Sequence, residues 1–341
     1  MPKQPKQSVV TIQDVARAAG VSVTTASRVL NNKDDVSPET YAKVRRVIEE
    51  LNYTASLAAR SMRSRANNVI GLVMPEVTEP FELEVIKGVG AAIKGSGYDL
   101  LIYTSGSRPL SDRASWEQEH VSLLSGGLTD GIIVVTPSAP SFPASARIVV
   151  IDPHGDGASV PSVIATNHVG AMEAMEYLIG LGHRRIGFIQ GRPDMRSSAR
   201  RFEAYQDSLA AAGIAYDPSL VQDGDYTRER GLPAARRLLD RGDRPTAIFA
   251  ANDKSAMGVL DAARELGLRV PEDLSVLGFD NIPEVEQQYP RLTTVDQSIQ
   301  EMGQVAVSLL IRLLQDEPLE SLIYKVPTRL VVRESCQQLG G

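Results

Sequence analysis

The spacing of apolar residues divides the chain into a short helical beginning and a longer region where strands and helices alternate. Before residue 55, apolar side chains recur at helical spacing, which predicts helices over 12–19, 23–30 and 38–51. From Val69 onward, β-branched or apolar runs alternate with amphipathic stretches. The runs predict strands over 69–74, 98–104, 130–136, 147–152, 162–166, 185–190, 246–251 and 274–279. The amphipathic stretches predict helices near 81–95, 112–125, 169–181, 198–212, 227–241, 253–266 and 298–315.

This alternation predicts an α/β core, because near-continuous apolar strands separated by helices are typical of parallel sheets covered on both faces. The strands are too numerous for one compact domain of about 150 residues. We therefore expect two αβ lobes with similar patterns, the first starting at Val69 and the second near Thr166.

The two first helices have the signals of a helix-turn-helix. Thr11 is suited to cap the first helix, Gly20 to end it in a left-handed conformation, and Ser22 to cap the second. In such a motif the start of the second helix reads base edges in the major groove. Arg28 is suited to guanine O6 and N7, Thr24 to a polar base edge, and the Val23 methyls to a thymine methyl. Phosphate contacts are expected from Ser22, Thr25 and Ser27.

Charge supports a DNA-binding head. The net charge of the 341-residue chain is -6, which by itself argues weakly against a nucleic-acid partner. Residues 1–66, however, carry eleven basic and six acidic side chains, a net charge of +5, which leaves -11 for residues 67–341. A basic segment on an acidic chain is a sign of nucleic-acid contact.

Other classes of protein are disfavoured by motifs that the sequence lacks. One cysteine, Cys336, excludes an internal disulfide and a cysteine metal cluster. The sequence has no P-loop, HExxH or GxSxG motif, and its four histidines lack metal-ligand spacing. Neither an enzyme nor a bound cofactor or metal is therefore expected. No apolar run is long enough to span a membrane, and the N-terminus lacks the apolar region of a secretory signal, so we expect a cytoplasmic protein.

The sequence resembles a known family in both its head and its core. The segment TIQDVARAAGVSVTTASRVLNN, followed by VSPETYAKVRRVIEELNYTAS, is similar to the head of the lactose-repressor and galactose-repressor family of bacterial transcription regulators. The resemblance continues through IGLVMPEVTEPF, LGHRRIGFIQG, ANDKSAMGVLDAARELGLRVPEDLSVLGFDN and YPRLTTVDQ, and so covers essentially the whole chain. It implies a small all-α helix-turn-helix head, a hinge helix, and a two-lobed core like type I periplasmic sugar-binding proteins.

The resemblance also implies domain boundaries. The head is expected over 1–54, the hinge helix and linker over 55–68, and the effector-binding and dimerisation core over 69–335. Within the core, the N-lobe is expected at about 69–165 plus 296–325, and the C-lobe at about 166–295 plus 326–335.

The implied DNA contacts combine the head with the hinge. Met62 stands where the family usually has a leucine that wedges into a base step from the minor groove, and Ala55 stands where it often has proline. The full set of expected DNA-contacting residues is Thr11, Ser22, Val23, Thr24, Thr25, Ser27, Arg28, Asn31, Tyr53, Ala59, Met62 and Arg63.

Polar residues at the ends of predicted strands indicate a ligand pocket in the core. In open α/β sheets ligands bind outside the carboxyl ends of strands, and Asp152, Asn252 and Asp280 stand at such ends. By resemblance, Arg201, Asn252 and Asp280 are the main effector contacts, and Phe81, Asp152 and Tyr226 form the pocket wall. Arg201 is preferred over the adjacent Arg200 because it precedes the Phe-x-x-Tyr stretch.

Several other residues near these strand ends have simpler interpretations. Asp253 is expected only to cap a helix, and His183 to lie in a loop with no visible partner. Before Asn167 this chain has Thr166, where many family members have an aspartate that contacts the effector.

The sequence therefore predicts a transcriptional regulator, most simply a repressor, that binds an inverted-repeat operator as a homodimer. A small effector, expected to be a sugar or sugar derivative, would bind between the two lobes. Two alternatives stay open: a sugar-binding protein of a transport system without DNA function, and a corepressor-dependent regulator of nucleobase metabolism. The end of the chain, RESCQQLGG, has no heptads of the kind that assemble tetramers.

Overall fold

The structure is a computed structural model that describes residues 10–30, 33, 35–53, 67–106, 108–155 and 159–339. The chain forms two compact units, residues 1–67 and 68–341.

The first unit contains three helices around a small apolar core. They are α1 (Ile12–Ala19), α2 (Val23–Leu30) and α3 (Pro38–Glu50). Thr11 and Asp14 form a reciprocal capping box at the start of α1, and Gly20 ends that helix with a φ of 63°. The Ser22 hydroxyl accepts from the Thr25 N–H at 3.0 Å, which caps α2 as the sequence predicts. The buried residues of this core are Val15, Ala16, Ala19, Ala26, Val29, Val44 and Ile48.

The second unit contains two six-stranded sheets, each belonging to one lobe. The N-lobe sheet is entirely parallel, in the order β11-β5-β4-β3-β1-β2. Its strands are β1 (Val69–Met74), β2 (Asp99–Thr104), β3 (Gly131–Val135), β4 (Ile148–Ile151), β5 (Ser162–Ala165) and β11 (Ile323–Val326). Helices α4 (Pro80–Ile93), α5 (Leu110–Ser125) and α10 (Ile299–Leu314) cover its two faces.

The C-lobe sheet has the order β12-β10-β9-β8-β6-β7, and only β12 runs antiparallel to its neighbour. Its strands are β6 (Ile186–Gln190), β7 (Val221–Asp223), β8 (Ala247–Ala250), β9 (Ser275–Asp280), β10 (Thr293–Asp296) and β12 (Arg329–Val331). One face is covered by α6 (Asn167–Gly180) and α7 (Arg196–Ala211), and the other by α8 (Arg228–Leu239) and α9 (Asp253–Glu265). Short 3-10 helices cover Pro218–Leu220 and Pro283–Gln287.

Three segments of chain connect the lobes. They follow β5, β10 and β11, and lie near residues 166, 297 and 327. The first and third are joined directly, since the Thr166 and Thr328 hydroxyls lie 2.8 Å apart and the Thr328 N–H donates to Thr166 Oγ1 at 2.9 Å. The third also contacts the second through the Arg329 guanidinium and the Asp296 carboxylate, at 2.9 Å.

The α/β fold class predicted from the sequence is confirmed, and each predicted strand and helix of the core is present within a few residues. Strands β7, β10, β11 and β12 were not predicted. One interpretation of a single residue was wrong, because Asn252, not Asp253, caps α9. His183 lies in a loop as expected, and its buried ring lies 2.9 Å from Thr246 Oγ1 and 3.0 Å from Ser275 Oγ. In the described part of the chain, no helix is both long and apolar enough to cross a membrane.

Candidate functional site

The exposed face of α2 carries the residues that the sequence predicts to contact DNA. Val23, Thr24 and Arg28 are exposed, whereas Ala26 and Val29 point into the core of the head. The Arg28 guanidinium forms an ion pair with Asp35, and both side chains are about half exposed. Arg28 is thus held at the surface by a partner that a stronger hydrogen-bonding group can displace.

The other predicted DNA-contacting residues of the head have mixed environments. Thr11 and Ser22 are exposed, and Thr25 and Ser27 are half-buried. Tyr53 is also half-buried, and it packs against the core of the head. Asn31, Ala59, Met62 and Arg63 lie outside the described residues, and so does Ala55.

In the second unit, a cavity of about 400 Å³ lies where strands of both sheets end. Its wall includes residues that follow β1, β2, β3 and β4 of the N-lobe and β6, β7, β8, β9 and β10 of the C-lobe. All six residues predicted to bind an effector line this cavity: Phe81, Asp152, Arg201, Tyr226, Asn252 and Asp280. The adjacent Arg200 is exposed and pairs with Glu203 at 2.8 Å, which supports Arg201 as the residue facing the cavity.

Arg201 is the central charged group of the cavity. Its side chain is 3 % exposed, and its guanidinium carbon lies over the Phe279 ring, 3.7 Å from the centroid. The guanidinium donates to the side-chain oxygens of Asn167 at 2.9 Å, Asp280 at 3.3 Å and Gln297 at 3.4 Å. It also donates to the Ala251 carbonyl at 2.5 Å. These contacts fix the orientation of the guanidinium before any ligand arrives.

Asp280 is held between two donors. Its Oδ1 accepts from Arg201 and, at 2.7 Å, from the Gln297 amide. Burial raises the pKa of Asp280 to about 7, Arg201 opposes this rise, and the nearby Asp152 adds to it. Near neutral pH this carboxyl group can therefore accept or donate a hydrogen bond to a ligand hydroxyl.

Asp152, Ser197 and Tyr226 form a second polar group on the wall. The Ser197 hydroxyl donates to Asp152 Oδ2 at 3.1 Å and lies 3.5 Å from the Tyr226 hydroxyl. Burial raises the pKa of Asp152, and Arg201 and Ser197 partly oppose that rise. Gly191 makes room for the Tyr226 ring, because a Cβ at this position would lie 2.2 Å from ring carbons.

Asn252, which lines the cavity, and Asp253, which does not, also hold neighbouring segments of the chain in place. Asn252 Oδ1 accepts from the Ser255 N–H at 2.9 Å, and Asn252 Nδ2 donates to the Tyr226 carbonyl at 2.9 Å. Asp253 is fully buried and accepts from the Ile282 N–H and the Thr294 hydroxyl. Burial raises its pKa well above the usual value, and Asp280 adds to this rise.

Left-handed backbone is concentrated at the cavity. Thr136, Asp152, Asp225, Tyr226 and Asp280 all line it with φ between 43° and 118°. Non-glycine residues rarely adopt this conformation, and a cluster of them is typical of ligand-binding sites. At these positions the extended backbone of the strand ends, and the side chain becomes part of the cavity wall.

Sequence reasoning missed several residues of this wall. Gln297 follows β10, a strand that was not predicted, and Ser197 and Glu82 stand in the first turns of helices, where polar residues are common. Thr166 does not line the cavity and instead bonds to Thr328. The Phe-x-x-Tyr signal that selected Arg201 could also have indicated Ser197, which lies one helical turn before it.

The arrangement is suited to binding rather than to chemistry. Fixed carboxylate, amide, hydroxyl and guanidinium groups discriminate strongly between hydroxylated ligands, because a mismatch leaves a buried polar group unpaired. Among the described residues, no cluster of histidine, cysteine or carboxylate side chains has the arrangement of a metal site.

Comparisons with known proteins identify both units. Residues 11–56 match the model described as bacterial regulatory proteins, lacI family, and residues 175–336 match a periplasmic binding protein-like domain. Catabolite control protein A of Priestia megaterium is 31% identical over 335 residues, which cover 96% of this chain and 99% of the relative.

Solved structures give the same result. The complex of the transcriptional regulator CelR with cellobiose is 34% identical, with a TM-score of 0.72. The lac repressor dimer bound to operator and the anti-inducer ONPF is 26% identical, with a TM-score of 0.80. Each alignment covers 96% of this chain and 99% of the other. The protein described here therefore belongs to the LacI family of bacterial regulatory proteins.

Proposed function

We propose that this protein is a transcriptional repressor that binds an operator through its head and is controlled by a small effector bound in the cavity of its core. The observation that carries the proposal is the polar cavity at the strand ends of both sheets, on a chain that also carries a helix-turn-helix. Two relatives support it: one is named catabolite control protein A, and another was solved bound to operator and an anti-inducer.

For the DNA-bound state, we propose that two protomers place one α2 each in successive major grooves of an inverted repeat. Val23, Thr24 and Arg28 read base edges, and Ser22, Thr25 and Ser27 contact phosphates. Residues 55–68 act as the hinge between head and core, with Met62 as the minor-groove wedge. The protein acts where the chromosome is, in the cytoplasm.

For the effector, we propose a sugar or a sugar derivative. Arg201, Asp280 and Asn252 supply fixed polar groups, and Phe81 and Tyr226 supply apolar faces against which a sugar ring can stack. The CelR relative was solved with cellobiose, which supports a carbohydrate ligand. Effector and operator binding are linked, so an effector that weakens operator binding by some factor is itself bound more weakly, by that factor, on the operator.

The test of DNA reading compares two arginines. Fluorescence anisotropy is measured with an operator selected from random inverted repeats and with random-sequence DNA. Arg28→Ala is expected to cost about 1–3 kcal/mol at the operator and little on random DNA, because it removes a base contact. Arg17→Ala on α1 is the matched control, since Arg17 is also exposed and ion-paired, to Asp14, and its loss removes the same charge. Equal losses for Arg28→Ala on both DNAs would contradict base reading.

The test of effector control uses the same operator. A panel of sugars is screened by thermal shift, and any that binds is added to the operator complex. A ligand at 100 times its Kd stabilises the protein by about 2.7 kcal/mol, which such a screen detects readily. The proposal requires that a bound ligand change operator affinity. A full chain that binds no inverted repeat specifically, with or without ligand, would overturn it.

A further inference from the structure

Glu82 is a buried acid that the proposed sugar site does not use. It stands in the first turn of α4, is 9 % exposed and lines the cavity next to Phe81. Among the described residues, no other side chain forms a hydrogen bond or an ion pair with its carboxyl group, which accepts from its own main-chain N–H.

Among the described residues, no basic side chain of the cavity wall forms an ion pair with Glu82. Each basic side chain of the wall already faces a carboxylate. Arg201 pairs with Asp280 at 3.3 Å, Lys254 with Glu79 at 2.6 Å, and Arg192 with Asp194 at 2.5 Å, while Arg113 faces Glu117. The wall holds six carboxyl groups and only four basic groups: Glu76, Glu79, Glu82, Asp152, Asp225 and Asp280 against Arg113, Arg192, Arg201 and Lys254.

A buried carboxyl group without a partner is costly while it is charged. Burial raises the pKa of Glu82 to about 8. Glu79 and Asp280 face it and add to the rise, and Lys254 opposes them. At pH 7 Glu82 is therefore mostly protonated when no ligand cation lies beside it, and it ionises when one is delivered.

We propose that the effector carries a protonated amino group, which pairs with the Glu82 carboxylate while the hydroxyl groups of the same ligand bond to Arg201, Asp280 and their neighbours. This inference rests on the proposed function, because it names the class of ligand for the same cavity. An amino sugar is the simplest compound with both groups. The Phe81 ring beside Glu82 gives the ammonium an aromatic neighbour.

The test uses matched pairs of ligands and the full chain. Calorimetry compares glucosamine, galactosamine and mannosamine, each with its parent sugar, which has a hydroxyl in place of the amine. At least one amine is expected to bind about tenfold or more tightly than its parent, because a charge-assisted hydrogen bond is stronger than a neutral one. The inference is overturned if no amine binds more tightly than its parent, including the case in which none of the three binds.

Two variants assign the preference to Glu82. Glu82→Gln keeps the size of the side chain, but its amide cannot ionise. In this variant the affinities for the amine and for its parent sugar are therefore expected to lie within about threefold of each other. Glu76→Gln is the matched control, because Glu76 is a half-buried carboxylate of the same cavity, and its amine preference is expected to persist. An amine preference that survives in Glu82→Gln would overturn the assignment.

Proton release gives an independent readout. At pH 7 the wild-type protein should release close to one proton per amine more than the Glu82→Gln variant does, and calorimetry in two buffers of different ionisation enthalpy measures the difference. Asp280, whose pKa is about 7, is present in both proteins, so the difference reports Glu82. Between pH 6 and pH 7 the affinity for the amine should therefore rise by about tenfold more in the wild-type protein than in Glu82→Gln. Absence of both effects would contradict the inference.

Failure of this inference is distinguishable from failure of the proposed function. A neutral sugar that binds at least as tightly as its amine and changes operator affinity would overturn the inference and support the proposed function. An amine that binds through Glu82 but leaves operator affinity unchanged would support the inference and contradict the proposed function.

Discussion

The environment of Arg201 leads to a prediction about the stability of the folded protein. Arg201→Met removes the guanidinium but retains apolar volume against the Phe279 ring, which lies 3.7 Å from it. The substitution deletes four hydrogen bonds and leaves Asp280, at 7 % exposure, without its cation. Removal of one partner from a buried ion pair typically costs about 3–5 kcal/mol of the free energy of unfolding, so we expect a loss of this size at pH 8.

The loss should depend on pH in a defined direction. The pKa of Asp280 is about 7 in the folded protein, above its usual value of 3.8, so this group favours the folded state at low pH and loses that contribution as pH rises toward 7. Without Arg201 the folded-state pKa rises further, because the guanidinium lowers it. At pH 5 the carboxyl group of the variant is therefore protonated and neutral, and the loss should shrink.

Urea unfolding followed by circular dichroism, at pH 5 and pH 8, measures both losses. Asp280→Asn in the Arg201→Met background should recover part of the stability at pH 8, because it replaces the unpaired carboxylate with a neutral group of the same shape. The reasoning is refuted if the loss is equal at the two pH values and the second substitution adds to it.

Two further predictions concern single contacts. Thr11→Ala should lower the stability of the head by about 1 kcal/mol, because it removes the capping box with Asp14, while Thr11→Ser should not; thermal unfolding of both variants decides this. Gly191→Ala should weaken effector binding, because the new Cβ would displace the Tyr226 ring. Gly90→Ala is its control, since a Cβ there meets open space, and equal affinities of the two variants would contradict this role of Gly191.

Much of the fold could be predicted because the signals were local. Buried parallel strands such as β3 (GIIVV) and β4 (IVVI) are continuous apolar runs, and the helices between them keep a helical period. The missed strands lack such runs. β11 reads IYKV and β12 reads RLV, and both are partly exposed. β10 reads TTVD, and its two buried threonines are recognisable only from their partners, Asp253 and the Ser335 hydroxyl.

The residues of the site were predictable where they follow the end of an apolar strand or match the motifs of the family. Asp152, Asn252 and Asp280 follow apolar runs, and Arg201 was selected from its neighbours along the chain. Glu82 could not be found in this way, because a glutamate in the first turn of a helix usually faces solvent and favours the helix dipole. Two of the charged groups that act on it, Lys254 and Asp280, lie on the opposite lobe, and this proximity has no local signal.

The path of the chain through the core has a consequence for how the protein is made. The N-lobe sheet ends in β11, and α10 covers one of its faces, so a lobe that begins at Val69 is complete only after residue 326. The C-lobe sheet likewise needs β12. During synthesis the head can fold early. Both lobes need strands from the last few dozen residues, so they complete their folding at almost the same time. Nascent chains that stall before residue 323 should therefore present a finished head on an unfinished core, and these are the chains most in need of chaperones.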